Sequence, residues 1–218
     1  MTRAERAATL VEALPRIYPD AHCELDFENP LQLLVATILS AQCTDKRVNI
    51  VTKELFRVCR TARDYAELAP AKLEALVQST GFFRAKANHI RKCCETLVAK
   101  HGGDVPQTME ELIALAGVGR KTANVVLGNV FGLAEGVVVD THVQRLSTRL
   151  GLTKQKTPEK IERELIKLIP REKWTLFSHW LIWHGRRRCM ARKPDCAHCE
   201  LHELCPSAPV SIRTAKSN

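Results

Sequence analysis

Residues Leu115–Ala123 read LAGVGRKTA and link two apolar-periodic segments. The segment before them, MEELIAL, turns Met109, Leu112 and Ile113 to one face. The segment after them carries Ala123, Val126, Leu127, Val130 and Phe131 as its stripe. Glycines at 117 and 119 suit a tight helix–helix turn. They also let backbone amides approach another group with no Cβ in the way. Free amides at a helix N-terminus form an anion site. Gly117, Val118 and Gly119 are therefore candidate phosphate contacts, which carry no base-sequence information. An ordinary αα-hairpin explains the glycines equally well. It does not explain Arg120 and Lys121 crowded at the start of the next helix.

Lys121 lies two residues before Ala123, about 200° round the helix from the core stripe. A solvated lysine is the common outcome. The functional alternative is an amine nucleophile, activated by burial, by Arg120 and by the positive helix N-terminus. Asp140 follows Val137–Val139, the one extended candidate, and precedes THVQRLSTRL. It suits an N-cap. Capping and catalysis are compatible, since one carboxylate oxygen can cap while the other faces a site.

The same punctuation recurs outward from the hairpin. Asn29-Pro30 reads as an N-cap and first-turn proline, and Thr44 or Asp45 caps the next segment. PAKLEALVQST ends at Gly81, a good residue just past a helix. In the segment from Phe83, positions 83, 87, 90, 94, 97 and 98 form a stripe. Thr108 and Glu111 have capping-box spacing, and Thr157-Pro158 opens another helix. Strand alternation is almost absent, so the pattern predicts an all-α protein of nine or ten helices, with a disordered polar tail after Pro206.

The 218 residues fit one or two domains, and 45% hydrophobic content allows a real core. Lys plus Arg number 33 against 24 Asp plus Glu, a net charge of +9. That excess favours an anionic partner such as nucleic acid. No apolar run approaches the roughly 18 residues of a membrane span. The N-terminus, MTRAERAATLVEAL, lacks a secretory stretch and carries Glu5 and Glu12. The expectation is a mature cytoplasmic protein with no membrane association.

Nine cysteines, an odd number that includes adjacent Cys93-Cys94, argue against a disulfide framework. Four of them, Cys189, Cys196, Cys199 and Cys205, are spaced C-x6-C-x2-C-x5-C. Four thiolates that close in sequence can converge on one metal centre. A structural zinc site and a [4Fe–4S] cluster both suit that chemistry. Arg192 and Lys193 sit in the wide arm, and Arg186-Arg187-Arg188 precede it. They form either a phosphate-binding loop or a solvated face.

Taken together, LAGVGRKTANVVL, VDTHVQRL, HGRRRCMARKPDCAHCELHELC and LLVATILSAQCTDKRVN resemble the endonuclease III family, DNA glycosylases with AP-lyase activity. The resemblance spans roughly residues 10–206. It implies a helix-hairpin-helix glycosylase fold of two helical domains flanking a DNA cleft. Residues 24–133 would form a six-helix barrel containing the hairpin. Residues 1–23 and 134–218 would form the iron–sulfur domain, with a [4Fe–4S] cluster on the four C-terminal cysteines. Lys121 would be the catalytic lysine and Asp140 the catalytic aspartate. Gln42 would fill the space left by a flipped nucleotide, and Gly81-Phe82-Phe83 would form a second wedge loop. The partner would be double-stranded DNA carrying damaged pyrimidines or abasic sites, bound by a monomer at the nucleoid.

Three departures bear on lesion preference. Ala116 stands where the family hairpin usually has proline, Cys43 where a small residue is common, and Phe82-Phe83-Arg84 where Leu-Tyr-Asn is familiar. Two rival readings remain at this level. One is a monofunctional mismatch glycosylase, which usually lacks a lysine at the hairpin position. The other is a non-catalytic iron–sulfur DNA-binding protein.

Overall fold

Side-chain caps set most helix starts. In α1 (Arg3–Ile17), Thr2 and Glu5 form a reciprocal capping box. Asn29 accepts from the Gln32 amide to start α2 (Pro30–Leu39). Thr44 does the same for α3 (Asp45–Val58). Each such cap contributes about 1 kcal/mol. There follow α4 (Ala62–Glu67), α5 (Pro70–Val77), α6 (Phe83–Lys100), α7 (Met109–Ile113) and α8 (Arg120–Val126). The chain continues with α9 (Thr141–Arg149), α10 (Pro158–Leu165) and α11 (Trp174–Arg187). This computed structural model describes residues 1–209, which contain these eleven α-helices and no strand. The polar tail predicted after Pro206 lies mostly outside the described residues.

The sequence pattern predicts nine or ten helices, and the described residues hold eleven α-helices. Helix α4 was not predicted, because six residues are too short to display a 3.6-residue repeat. Its signal was the Thr61–Asp64 capping box. Val137–Val139, the one extended candidate, forms no strand among the described residues. Val137 and Val139 are nonetheless buried as core residues.

The chain divides into two compact units, Cys23–Glu135 and Met1–His22 with Gly136 onward. The first is built from α2–α8 around Leu33, Leu34, Leu55, Tyr65, Ile90 and Leu112. Helix α8 widens into a π-helical segment, Leu127–Phe131, and stops at Gly132 in the left-handed region. The second unit packs α1, α9, α10 and α11 around Leu10, Leu14, Leu146, Leu165 and Phe177. Burying each such side chain contributes about 1.5–3 kcal/mol. Helices α9 and α11 pack closely at Gly185, where a Cβ would come within 2.8 Å of His142 Nδ1.

Candidate functional site

The hairpin glycines serve different ends. Gly117 has φ 78°, and a Cβ there would stand 2.8 Å from His89 Cβ on α6. The fold itself therefore requires glycine at 117. Gly119 is the N-cap of α8, with φ −96° and ψ 174°, ordinary extended backbone. A Cβ at 119 would meet nothing within 4 Å. The bare Cα at 119 faces open space, where an outside group has access.

The amides differ as well. Val118 N–H donates to the Leu115 carbonyl at 3.2 Å, and the Val118 side chain is buried. Gly117 and Gly119 N–H donate to no other described residue. The hairpin amides left without an acceptor among the described residues are thus those of the two glycines. Arg120 Nη2 donates to the Glu135 carbonyl at 3.3 Å, so this cation also holds the chain after the π segment. Asn124, buried on α8, accepts from the Glu135 amide at 3.1 Å and reinforces the same tie. Lys121 is exposed. The burial expected of it is absent in the free chain, which leaves Arg120 and the helix N-terminus as its local electrostatic setting.

Asp140 is the N-cap of α9, its Oδ1 accepting from Val143 N–H at 2.8 Å. It is half-buried. His179 on α11 senses its charge: burial pushes His179 down to about 4, His22 adds to that, and Asp140 opposes it. Burial likewise pushes His184 down to about 4. Both imidazoles are neutral in the folded chain at pH 7. Unfolded, each takes up a proton below about pH 6.5. Their contribution to stability is present above that pH and is lost between about 6.5 and 4. Denaturant titrations at successive pH values should show the unfolding free energy falling by about 1.4 kcal/mol per pH unit for each histidine. His179→Gln should flatten that slope.

The loops expected to enter DNA share a backbone property. The described chain holds three non-glycine residues at positive φ: Gln42 (52°), Phe82 (48°) and Lys193 (51°). Such conformations are strained, persist only where their surroundings over-determine them, and cluster at functional sites. Gln42 is exposed in the turn after α2. Phe82 precedes α6 and is 68% exposed. Phe83 is different: it packs against the first core, with the Arg84 guanidinium 5.5 Å from its ring centre. Of the Gly81-Phe82-Phe83 wedge, Phe82 is the side chain that projects. Arg192 and Lys193 are both exposed on the cysteine-rich loop.

Cys189, Cys196, Cys199 and Cys205 line one cavity. None of the four is in a disulfide. Arg149 Nη1 donates to Cys189 Sγ at 3.1 Å and to the Met190 carbonyl at 2.8 Å. Its Nη2 donates to the Ala191 carbonyl at 3.0 Å. Arg145 Nη2 donates to the Cys189 and Gly185 carbonyls, both at 3.0 Å. His184 Nε2 lies 3.6 Å from Cys199 Sγ, while its Nδ1 lies 2.8 Å from the Tyr18 hydroxyl. Arg188 pairs with Asp195 and Glu200. Part of the charge run read from the sequence is therefore internal scaffolding. Burial pushes the Cys199 thiol up to about 11 and the Cys205 thiol upward as well. Metal coordination offsets that penalty by stabilising the thiolate. Among the described residues, no three Cys, His, Asp or Glu side chains converge tightly enough to hold one metal ion.

Residues 35–171 match the HhH-GPD superfamily of base excision DNA repair proteins. A curated relative, endonuclease III of Synechocystis sp., is 54% identical over 210 residues, or 96% of each chain. A structure described as a non-covalent endonuclease III–DNA complex has a TM-score of 0.90 and 42% identity. It covers 99% of this chain and 100% of its own. A second, described as a trapped endonuclease III–DNA covalent intermediate in an estranged-adenine complex, also has a TM-score of 0.90, with 43% identity. It covers 95% of this chain and 98% of its own. The chain belongs to this helix-hairpin-helix superfamily and, within it, to the endonuclease III family.

Proposed function

We propose that this protein is a bifunctional DNA glycosylase and AP lyase of base excision repair, acting on oxidised pyrimidines and abasic sites in duplex DNA. The observation that carries the reading is Lys121. It is an exposed amine in the first turn of α8, beside an open hairpin glycine, in a chain 43% identical to a protein trapped covalently on DNA. No helix among the described residues is long and apolar enough to cross a membrane. The reading puts the protein's work at cytoplasmic, nucleoid DNA, as a monomer.

The Gly117 and Gly119 amides grip a phosphate beside the lesion, and Arg120 adds positive field. Arg192 and Lys193 contact the backbone elsewhere. Turning the damaged nucleotide out costs a few kcal/mol, less for a weakened pair. Phe82 wedges the duplex and Gln42 fills the vacated space. Bound DNA covers Lys121 and supplies the desolvation that the free chain lacks. Lys121 Nζ attacks C1′, the glycosidic bond breaks, and the base leaves with a proton. The sugar ring opens to a Schiff base. Loss of a C2′ proton then expels the 3′ phosphate, and water releases the lysine. Asp140, held by its cap to Val143, stabilises the developing positive charge or moves these protons.

The cysteine set fits a [4Fe–4S] cluster. Four thiols that share one cavity are the ligand set of such a cluster. Cys189, Cys196, Cys199 and Cys205 would hold the cluster, and its role there would be to fix the loop bearing Arg192 and Lys193. Purified protein should contain iron rather than zinc and absorb near 400 nm; zinc alone would overturn this part. The function itself is tested on a duplex carrying thymine glycol. Base release with strand cleavage is expected. Release without cleavage would indicate a monofunctional enzyme, and binding without either would indicate a DNA-binding protein.

A further inference from the structure

Helix α6 puts a lysine where its stripe calls for an apolar residue. Lys86 is 4% exposed, and lysines are almost never that buried without partners. Its partners are two backbone carbonyls from separate segments. Nζ donates to Leu39 O at 2.8 Å and to Thr80 O at 2.7 Å. Leu39 ends α2, so its carbonyl lacks a helical donor and lies at the negative end of the helix dipole. Thr80 ends the short 3₁₀ turn Gln78–Thr80.

Each carbonyl leads within three residues to a strained, exposed side chain. Leu39 is followed by Gln42, and Thr80 by Phe82, two of the three non-glycine residues at positive φ. These are the two side chains assigned above to enter the duplex. We infer that Lys86 is a positioning residue that ties the Gln42 loop and the Phe82 loop together, so that both are set before DNA arrives. The inference rests on the glycosylase reading.

Lysine suits the task for a physical reason. Its thin apolar stem crosses the core, and its compact head carries up to three donors that reach carbonyls on different segments. Burial pushes Lys86 below the usual lysine range, opposed by nearby Cys43. Even a neutral amine keeps two N–H groups, the number of carbonyls it serves here. An apolar side chain of equal length would fill the space but leave two buried carbonyls without donors. The loops would then relax, and the ordering now built into the fold would have to be supplied at each binding event. Lys86 takes no part in the chemistry at Lys121. Its loss should slow nucleotide extrusion and spare the lyase step.

The test compares wild type with Lys86→Met, matched for iron content and helicity. Two substrates are used: a thymine-glycol duplex, and a single-stranded oligonucleotide with an abasic site, which needs no extrusion from a helix. Single-turnover excision from the duplex should fall at least tenfold, and cleavage of the single-stranded abasic site should stay within twofold. In a Lys121→Gln background, 2-aminopurine opposite the lesion should brighten on binding, and adding Lys86→Met should remove most of that rise. If Lys86→Met does not fold, Lys86→Arg, which keeps the charge but not the compact head, should show the same split with a smaller loss. Equal loss on both substrates, or duplex excision within twofold of wild type, would overturn the assignment. A wild-type protein that neither cleaves nor is trapped would instead remove the glycosylase reading, and this inference with it.

Discussion

Lys121→Gln is expected to abolish covalent trapping on damaged DNA by borohydride while leaving the protein bound to that DNA. Lys121 is exposed and supports no core, so the folded structure loses nothing by the change. The amide cannot form an imine, so neither displacement at C1′ nor elimination can proceed. Removing the nucleophile from such a site costs on the order of a thousandfold or more in the chemical step. The proposed reading assigns binding to the hairpin amides, Arg120 and the exposed loops, all of which the variant keeps. Trapping that persists in Lys121→Gln would mean that another amine is the nucleophile.

The second large effect separates the two hairpin glycines. Gly117→Ala puts a Cβ at φ 78° and within 2.8 Å of His89 Cβ. The left-handed backbone costs about 1–2 kcal/mol, and the overpacking adds about 1–3 kcal/mol. A loss of about 2–5 kcal/mol in unfolding free energy is expected, together with weak DNA binding. Gly119→Ala has allowed torsions and empty space around its Cβ. Its stability should stay within about 0.5 kcal/mol of wild type. Its DNA affinity should still fall at least tenfold, because the added methyl stands in the open space through which the proposed grip has the phosphate approach. Thermal melts and filter binding on the same preparations read both quantities. A Gly119→Ala protein with undiminished affinity would mean that the hairpin amides are not the grip.

What the sequence made legible was whatever repeats or caps. Asn29, Thr44 and Asp140 declared helix starts, and the apolar stripes declared the all-α class. The spacing of Cys189, Cys196, Cys199 and Cys205 pointed to a shared metal centre, and the four thiols line one cavity. Helix α4 was missed because it is shorter than two turns. The division of labour between Gly117 and Gly119 was also hidden, since it depends on His89 approaching from another helix. Phe82 and Phe83 are adjacent and identical, and only packing decides that one projects while the other joins the core. Lys86 ran against its own pattern: an apolar stripe gives no warning of two carbonyls waiting at its end. Arg149 and His184 reach the cysteine sulfurs from other helices, a relation no local motif encodes.

The central claim is that Lys121 forms the covalent bond to the sugar. Borohydride reduction of the wild-type reaction on a thymine-glycol duplex, followed by proteolysis and mass spectrometry, tests it most directly. The sugar remnant should sit on the peptide containing Lys121, at that residue. A remnant on the N-terminal amine or on another lysine, or strand cleavage with no adduct, would contradict the account.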